Sequence, residues 1–506
     1  SEETIMIYSI GKNLGNKLTG IEQAMINRLK LFKDNLVPNK LIFTSWSPRL
    51  YMHAHSLNID SKDIFSLYDF LQDSINFEKK HIDWINYWQN ICNYTLKFVE
   101  NTNDIKIYDN DTYKMYVHFV DSNYQTLDYI NHFDIQQRKI RRDFYDTRGF
   151  LSCSRILTSQ QKVVMEQFFT PTQKVKFQKY YNPEHEHPTV QSIIYNTSRG
   201  VRFFNDENEL LAFAINALYH LGDVFLCDKN IVTGPIIDQT DTKIPVLAVF
   251  HSTHVKNIND IYHSEIKQAY KPVLDNLSRY SGIIVSTEQQ KTDLSVKINN
   301  VIPIYVIPAG YIDTNESHHS SDNKPLPNKM ISIGRYSPEK QLDHQIELMS
   351  KLVPAFPNLQ LHLFGFGKEE THYRKLIAQY HLENHVFLRG FIYDLNQEIE
   401  TAYLSLLTSK MEGFNLGVLE TIAKGVPTVS YDTKYGPSEL IVNHKNGFLI
   451  EQDNKEQLYH SVKKLLLDSN LREQFSKESI KHVQIFNDKN VFDTWLTVFR
   501  TLKVNL

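Results

Sequence analysis

The chain has 506 residues, 41% of them hydrophobic and 12% aromatic, enough for two or three domains with their own cores and too apolar for a disordered protein. Its formal net charge of -3 excludes the strongly basic balance of a protein whose main task is non-specific binding to nucleic acid. Cys92, Cys153 and Cys227 lie far apart, with no partner at metal-ligand spacing, which fits a reducing, cytosolic setting better than a disulfide-stapled one.

In chain order, the start lacks the basic residues and longer apolar run of a signal peptide, and Ile5–Ile10 reads as a first strand. A glycine-containing loop, Gly11–Gly20, follows, then an amphipathic helix from Ile21 to Phe32 and a strand at Leu41–Trp46. From about 62 to 202 the texture changes. Helical segments around Ile64–Leu71 and Trp84–Asn93 precede aromatic, period-two runs at Thr95–Val99, Ile105–Tyr108, Lys114–Val120, Gln125–Phe133, Lys139–Phe144 and Phe150–Leu157. Short polar turns divide these runs, which predicts an antiparallel β-meander inserted into a parallel α/β domain. Asp109-Asn110-Asp111 spells a metal-binding Asp-x-Asp, but between two alternating runs it reads as a hairpin turn. His185-Glu186-His187, between Pro183 and Pro188, reads as a surface loop rather than a zinc site.

Strand–helix alternation resumes with a helix at Glu207–Leu221 and strands at Asp223–Cys227, Val246–His251, Gly282–Ser286 and Ile302–Ile307. After a polar linker, Asn315–Pro327, it restarts at Lys329–Gly334 and runs through Leu359–Phe364, Val386–Leu388, Leu404–Leu407, Pro427–Tyr431 and Phe448–Ile450. The expected fold class is α/β, with two Rossmann-like domains and the meander inserted in the first. The N-terminal domain comprises 1–61 and 203–312, the insertion 62–202, the second domain 313–488, and a terminal helix 489–506 is long enough to cross back. No apolar stretch reaches the ~20 residues that span a bilayer.

Two motifs carry chemistry. Met411 to Glu420 places Glu412 at a strand end and Glu420 in a helix, joined by a glycine-containing loop whose helix N-terminus suits an anionic diphosphate. On spacing alone, the same pattern describes a capping loop with two solvated glutamates. Gly334 to Lys340 places Arg335 and Lys340 just after a strand, where a guanidinium fork and an ammonium can neutralise a leaving diphosphate.

Together, Gly-Arg-x-x-x-x-Lys and the later Glu-Gly-Phe-x-Leu-x-x-x-Glu resemble the Glu-x7-Glu signature of retaining GT-B glycosyltransferases of family four. Leu18-Thr19-Gly20-Ile21-Glu22, the meander segment Arg142–Phe150 and Phe250-His251-Ser252-Thr253-His254 are similar to bacterial protein O-glycosyltransferases, above all the staphylococcal enzymes that modify Ser-Asp repeats of surface adhesins. Related families act on serine-rich-repeat adhesins and wall teichoic acid.

The resemblance implies retention without a metal or other cofactor, with UDP-GlcNAc as donor. It implies that Arg335 and Lys340 bind the diphosphate. Glu412 and the loop Gly413, Phe414, Asn415 and Leu416 would hold the donor sugar, Glu420 the ribose, and Arg389, Gly390 and Phe391 the uracil. Thr19 and Gly20 would approach the diphosphate, and His251 the donor sugar. Glu412, His251, Arg335 and Lys340 form the implied catalytic set. Asn16, His254 and the basic run of Arg138, Arg141 and Arg142 stand as acceptor-side candidates, since an acidic serine-rich repeat protein would be drawn to positive charge. The alternative is that the meander builds an interface with a second copy or a partner subunit. The implied setting is the bacterial cytoplasm, free or at the inner face of the membrane. A ribitol-phosphate polymer as acceptor, and an inactive acceptor-binding subunit, are the competing expectations.

Overall fold

The computed structural model describes residues 4–315, 322–504 and 506. Positions 316–321, inside the expected linker, lie outside the described residues, as do positions 1–3. Three sheets organise the chain.

The first is a seven-stranded parallel sheet in the order Ile304–Val306, Gly282–Val285, Val246–Val249, Val224–Cys227, Ile7–Gly11, Asn39–Phe43, Ile64–Ser66. Its central strands are apolar on both faces because helices cover both. Ile64–Ser66, read from sequence as the start of a helix, instead pairs in parallel with the strand Asn39–Phe43. Only Leu67–Leu71 continues as helix, opened by a capping box at Ser66 and Asp69.

The third sheet has six parallel strands in the order Val386–Gly390, Gln360–Phe364, Lys329–Ile333, Leu404–Leu407, Thr428–Tyr431, Gly447–Ile450. By position in the chain this is 3-2-1-4-5-6, the doubly wound order, with its reversal between Lys329–Ile333 and Leu404–Leu407. The first sheet reverses in the same way between Ile7–Gly11 and Val224–Cys227. Ligands of such sheets lie beyond the strands' carboxyl ends at these reversals.

Inserted within the first sheet, between Ile64–Ser66 and Val224–Cys227, comes a ten-stranded antiparallel sheet whose strands pair strictly in chain order, from Thr95–Phe98 to Gly200–Phe204. Its last four strands, Val163–Phe169, Val175–Tyr181, Val190–Thr197 and Gly200–Phe204, extend beyond the runs legible in sequence. Asp109 pairs with Thr112 across a tight turn in which Asn110 has φ 54°, so Asp109-Asn110-Asp111 is a hairpin turn. The His185-Glu186-His187 segment is an exposed loop, with His185 bonded to Asn182 and Thr189.

One region of the meander docks on the N-terminal domain: Cys153, Phe168, Phe177 and Ile193 share a core with Tyr68, Leu71, Leu210 and Ile215. Arg148 locks this junction, bonding Asp146 at 2.9 Å and Asp69 at 3.2 Å with its guanidinium 3.9 Å from the Tyr51 ring centroid. Lys179 points inward to Glu207 at 2.7 Å.

The helix Asp488–Thr501 leaves the second Rossmann-like unit and packs on the first. Its Val491, Phe492, Trp495, Val498 and Phe499 join a core with Ile7, Phe32, Val224 and Leu247. Each such buried side chain contributes roughly 1.5–3 kcal/mol of apolar burial. Trp495 meets Phe32 edge-on, with ring centroids 5.4 Å apart.

Candidate active site

The two reversals face each other, and the loops leaving them touch. On the second sheet, the strand Lys329–Ile333 ends at Gly334, and the 3-10 turn Pro338–Lys340 follows. The neighbouring strand Leu404–Leu407 feeds the loop to Glu412 and then the helix Leu416–Ala423. Asn415 caps this helix, its side chain accepting from the Val418 amide at 2.9 Å, with a left-handed φ of 89°. The capped first turn leaves amides directed out of the helix N-terminus.

Lys340 and Glu412, 72 residues apart, meet here: Lys340 Nζ donates to Glu412 Oε1 at 2.6 Å, and Ser409 Oγ donates to the same oxygen at 2.6 Å. Glu412 is buried, so this pairing satisfies a carboxylate that water does not reach freely. Arg335 is exposed beside them and makes no ion pair among the described residues. Its fork stays free for an anion.

On the facing side, the strand Val246–Val249 runs into His251. His251 Nε2 bonds Asp228 Oδ1 at 2.7 Å, and Arg28 grips the same carboxylate with two bonds of 2.9 Å. Burial alone would raise the Asp228 pKa, but Arg28 and His251 hold it below the usual carboxylate range. Arg28 also donates to Ser9 Oγ at 3.1 Å and lies 5.2 Å from the Trp495 ring centroid. The imidazole is thus fixed at one nitrogen by a carboxylate, which sets the orientation of the other.

The two sides close tightly. A methyl group on Gly413 would lie 2.2 Å from the His251 carbonyl oxygen across the cleft, and, within the second domain, one on Gly436 would lie 2.0 Å from the Phe414 carbonyl. Glycine is therefore required at both close approaches. Tyr435 Oη donates to Asp293 at 2.9 Å, and Lys434 Nζ lies 3.4 Å from the same carboxylate. At the other end of the cleft, Lys17 sits 5.5 Å from the Phe366 ring centroid, and Phe391 packs against the core of Leu14 and Leu18.

Of the remaining sequence candidates, Thr19 N-caps the first helix and its hydroxyl bonds Glu22. Asn16 and Gly20 are exposed, and a methyl group on Gly20 would meet no protein atom within 4 Å. Glu420 is exposed on its helix, with Tyr393 nearby. Gly390 has a left-handed φ of 73°, and the Arg389 side chain turns to Glu398 at 2.8 Å and to His362 at 3.0 Å. The Gly390 amide donates to Tyr336 Oη at 3.4 Å, and its carbonyl accepts from the Gly365 amide at 3.0 Å.

His254 requires correction as an acceptor-side group. It is fully buried, parallel to Tyr435 at 6.2 Å and 3.4 Å from Gln290 Nε2, so no polymer reaches it with the two sides in contact. Burial pushes its pKa down to about 4. The basic run is also partly committed within the meander. Arg138 pairs with Asp134 at 3.0 Å, Arg141 with Asp143 at 2.6 Å, and Arg142 bonds Asn131 at 2.6 Å. Arg142 nonetheless lines a cavity of about 390 Å³ with Lys139, Arg155 and Lys162 against Glu166 and Glu186, a concave surface with an excess of basic groups that spacing alone did not show. Asp228, Arg28 and Lys267 were likewise not singled out from sequence. The first two meet across 200 residues.

Residues 313–482 match the family model described as glycosyl transferases group 1. With two facing doubly wound sheets, this defines the chain as a glycosyltransferase of GT-B architecture. Among curated relatives, the poly(glycerol-phosphate) alpha-glucosyltransferase of Bacillus subtilis is 25% identical, over 96% of this chain and 74% of its own length. The poly(ribitol-phosphate) alpha-N-acetylglucosaminyltransferase of Staphylococcus aureus is 22% identical, covering 98% of this chain and 99% of its own. Among solved structures, the pneumococcal O-GlcNAc transferase GtfA, in complex with UDP and GlcNAc, aligns over 100% of both chains with a TM-score of 0.87 and 19% identity, a likeness of fold.

Proposed function

We propose that this chain transfers N-acetylglucosamine from UDP-GlcNAc, with retention, to serine hydroxyls of an acidic Ser-Asp or serine-rich repeat protein. The observation that carries the reading is the Lys340–Glu412 pair of 2.6 Å at the second sheet's reversal, with Arg335 beside it and His251 facing it. The fold-wide likeness to an O-GlcNAc transferase supports the donor and the acceptor class.

In this reading Glu412 and the loop of Gly413, Phe414, Asn415 and Leu416 hold the sugar. Glu420 holds the ribose, the backbone of Arg389–Phe391 meets the uracil, and the loop through Thr19 and Gly20 borders the diphosphate. The bond from sugar C1 to the diphosphate breaks, and its electron pair stays on the leaving oxygen. The serine oxygen bonds C1 from the same face, and its proton passes to that leaving oxygen. Arg335 and Lys340 meet charge that develops as the bond breaks, so they stabilise the transition state more than the ground state. The Lys340–Glu412 pair presets both groups before substrate arrives. The basic concavity around Arg142 draws acidic repeats toward the cleft, and the meander offers a surface for a second copy or a partner subunit, in the bacterial cytoplasm or at the inner face of its membrane.

A second reading keeps the chemistry and changes the acceptor to a polyol-phosphate polymer. The two curated relatives named above, both poly(polyol-phosphate) transferases, favour it. Incubation with UDP-sugars and either a Ser-Asp repeat peptide or poly(ribitol-phosphate), read by mass, separates the two. The polymer that gains mass decides. Arg335→Ala and Glu412→Ala should each lower transfer on the order of a hundredfold or more. Undiminished activity in these variants would sink the roles given to Arg335 and Glu412, and an inactive wild type with both acceptors would leave an acceptor-binding subunit.

A further inference from the structure

Lys267 reaches the cleft from the loop between His251 and the helix Lys271–Leu274, and the mechanism above leaves it unused. Its backbone is fixed: its amide donates to the His254 carbonyl at 2.9 Å, and the bridge between Val255 and Ile266 closes the loop behind it. Its Nζ donates to Ser252 Oγ at 2.8 Å, and the Ser252 amide nitrogen lies 3.0 Å from where a methyl group on Gly413 would stand. The ammonium is therefore tethered beside the loop that carries Glu412.

It is half-buried and has no carboxylate within ion-pair distance among the described residues; its bonded partner is a neutral hydroxyl. Burial lowers its pKa most. Glu339 and Glu412 raise it, and Arg335 and Lys340 lower it again, which places all four groups in its electrostatic surroundings. Glu412 is already bonded to Lys340 and Ser409. Three cations thus converge on one cleft with less negative charge than they can neutralise, an arrangement that costs free energy until an anion enters.

We propose that Lys267 is a third cation for the donor's diphosphate, supplied by the N-terminal domain opposite Arg335 and Lys340. The proposal rests on the nucleotide-sugar reading above. It gives the cleft a reason to close: the diphosphate is neutralised fully only when the two domains are in contact, so charge stabilisation and exclusion of water arrive together. Lysine suits this place, because a compact ammonium on a flexible stem can leave a hydroxyl and swing to a phosphate oxygen.

The test is titration of the full chain with UDP, UMP and uridine, in wild type, Lys267→Met and Lys267→Arg, each first shown to melt at the wild-type temperature. Loss of one charge-assisted phosphate contact should weaken UDP on the order of tenfold in Lys267→Met. Uridine affinity should stay unchanged, and Lys267→Arg should recover most of the loss. Equal weakening of UDP and uridine would show a structural role, and unchanged UDP affinity no phosphate contact; either overturns the proposal. If Lys267→Met does not fold, the arginine variant must hold UDP within a few-fold of wild type, and a loss confined to UDP there counts against a simple cation role. A wild type that does not bind UDP overturns the nucleotide-sugar reading itself.

Discussion

His254 shows how a single buried side chain ties the cleft to pH. Its ring is fully buried between Gln290 and Tyr435, and burial holds its pKa at about 4 against an ordinary 6.5. Between these values the unfolded chain binds a proton that the native state refuses, so acid favours unfolding there. The native state keeps its full margin above pH 6.5 and loses it as pH falls toward 4, by roughly 3 kcal/mol from this group if the whole shift is realised. His254→Phe keeps the ring against Tyr435 and removes the proton. Denaturant unfolding at pH 7 and pH 4.5 should therefore show a smaller pH difference in the variant, and an unchanged difference would place the acid sensitivity elsewhere. Asp228 works in the same direction, over a lower pH range. Its depressed pKa, set by Arg28 and His251 against the pull of burial, contributes stability that fades only as pH falls below the ordinary carboxylate range.

At the scale of elements, the site is made by loops that leave parallel strands at two facing reversals, and its precision depends on how closely those loops approach. Gly413 is the narrowest point. Gly413→Ala must push the Glu412 loop away from the His251 carbonyl by more than an ångström to relieve a 2.2 Å contact. A displacement of that size at reacting groups costs on the order of a hundredfold in rate, although the substituted residue is not itself charged. Steady-state kinetics should show kcat falling on that order, with the melting temperature of each core little changed; a wild-type kcat would mean that the loops need not touch during turnover. These elements also show what could be read from sequence. Arg335, Lys340 and Glu412 were legible because each follows its strand within a few residues, so local spacing encodes their position. Their partners were not. His251 was found by resemblance, while Asp228 and Arg28 come together across 200 residues and no local pattern links them. The last four meander strands escaped for another reason. Val-Lys-Phe-Gln-Lys-Tyr-Tyr at Val175–Tyr181 turns Lys179 inward to Glu207, so the polar-out, apolar-in alternation that marks a strand is broken by a buried ion pair.

At the scale of the whole molecule, the helix Asp488–Thr501 joins two domains that would otherwise share only the cleft. Trp495 is its anchor, buried against Phe32 and beside the Arg28 that orients Asp228. Trp495→Ala leaves a large cavity and should cost ~3–5 kcal/mol in denaturant unfolding. The loss should appear in the unfolding of the N-terminal domain, followed by fluorescence of Trp46, Trp84 and Trp88 in that domain and its insertion, although the substitution lies far along the chain; a loss confined to the second domain would contradict this packing. The overall alternation, and the insertion of a meander into the first domain, were legible because period-two and strand–helix textures differ over tens of residues. The docking of this helix was not, since its apolar stripe fits any core equally well.

That docking has a consequence for biosynthesis. Ile7, Phe32, Val224 and Leu247 are made early, but the side chains that cover them belong to Asp488–Thr501. As the polypeptide emerges from the ribosome, the first Rossmann-type sheet must therefore wait, one face bare, while the entire second sheet is translated. The N-terminal domain begins folding first and finishes last, and a chain interrupted before that helix would present an uncovered apolar face to chaperones and proteases.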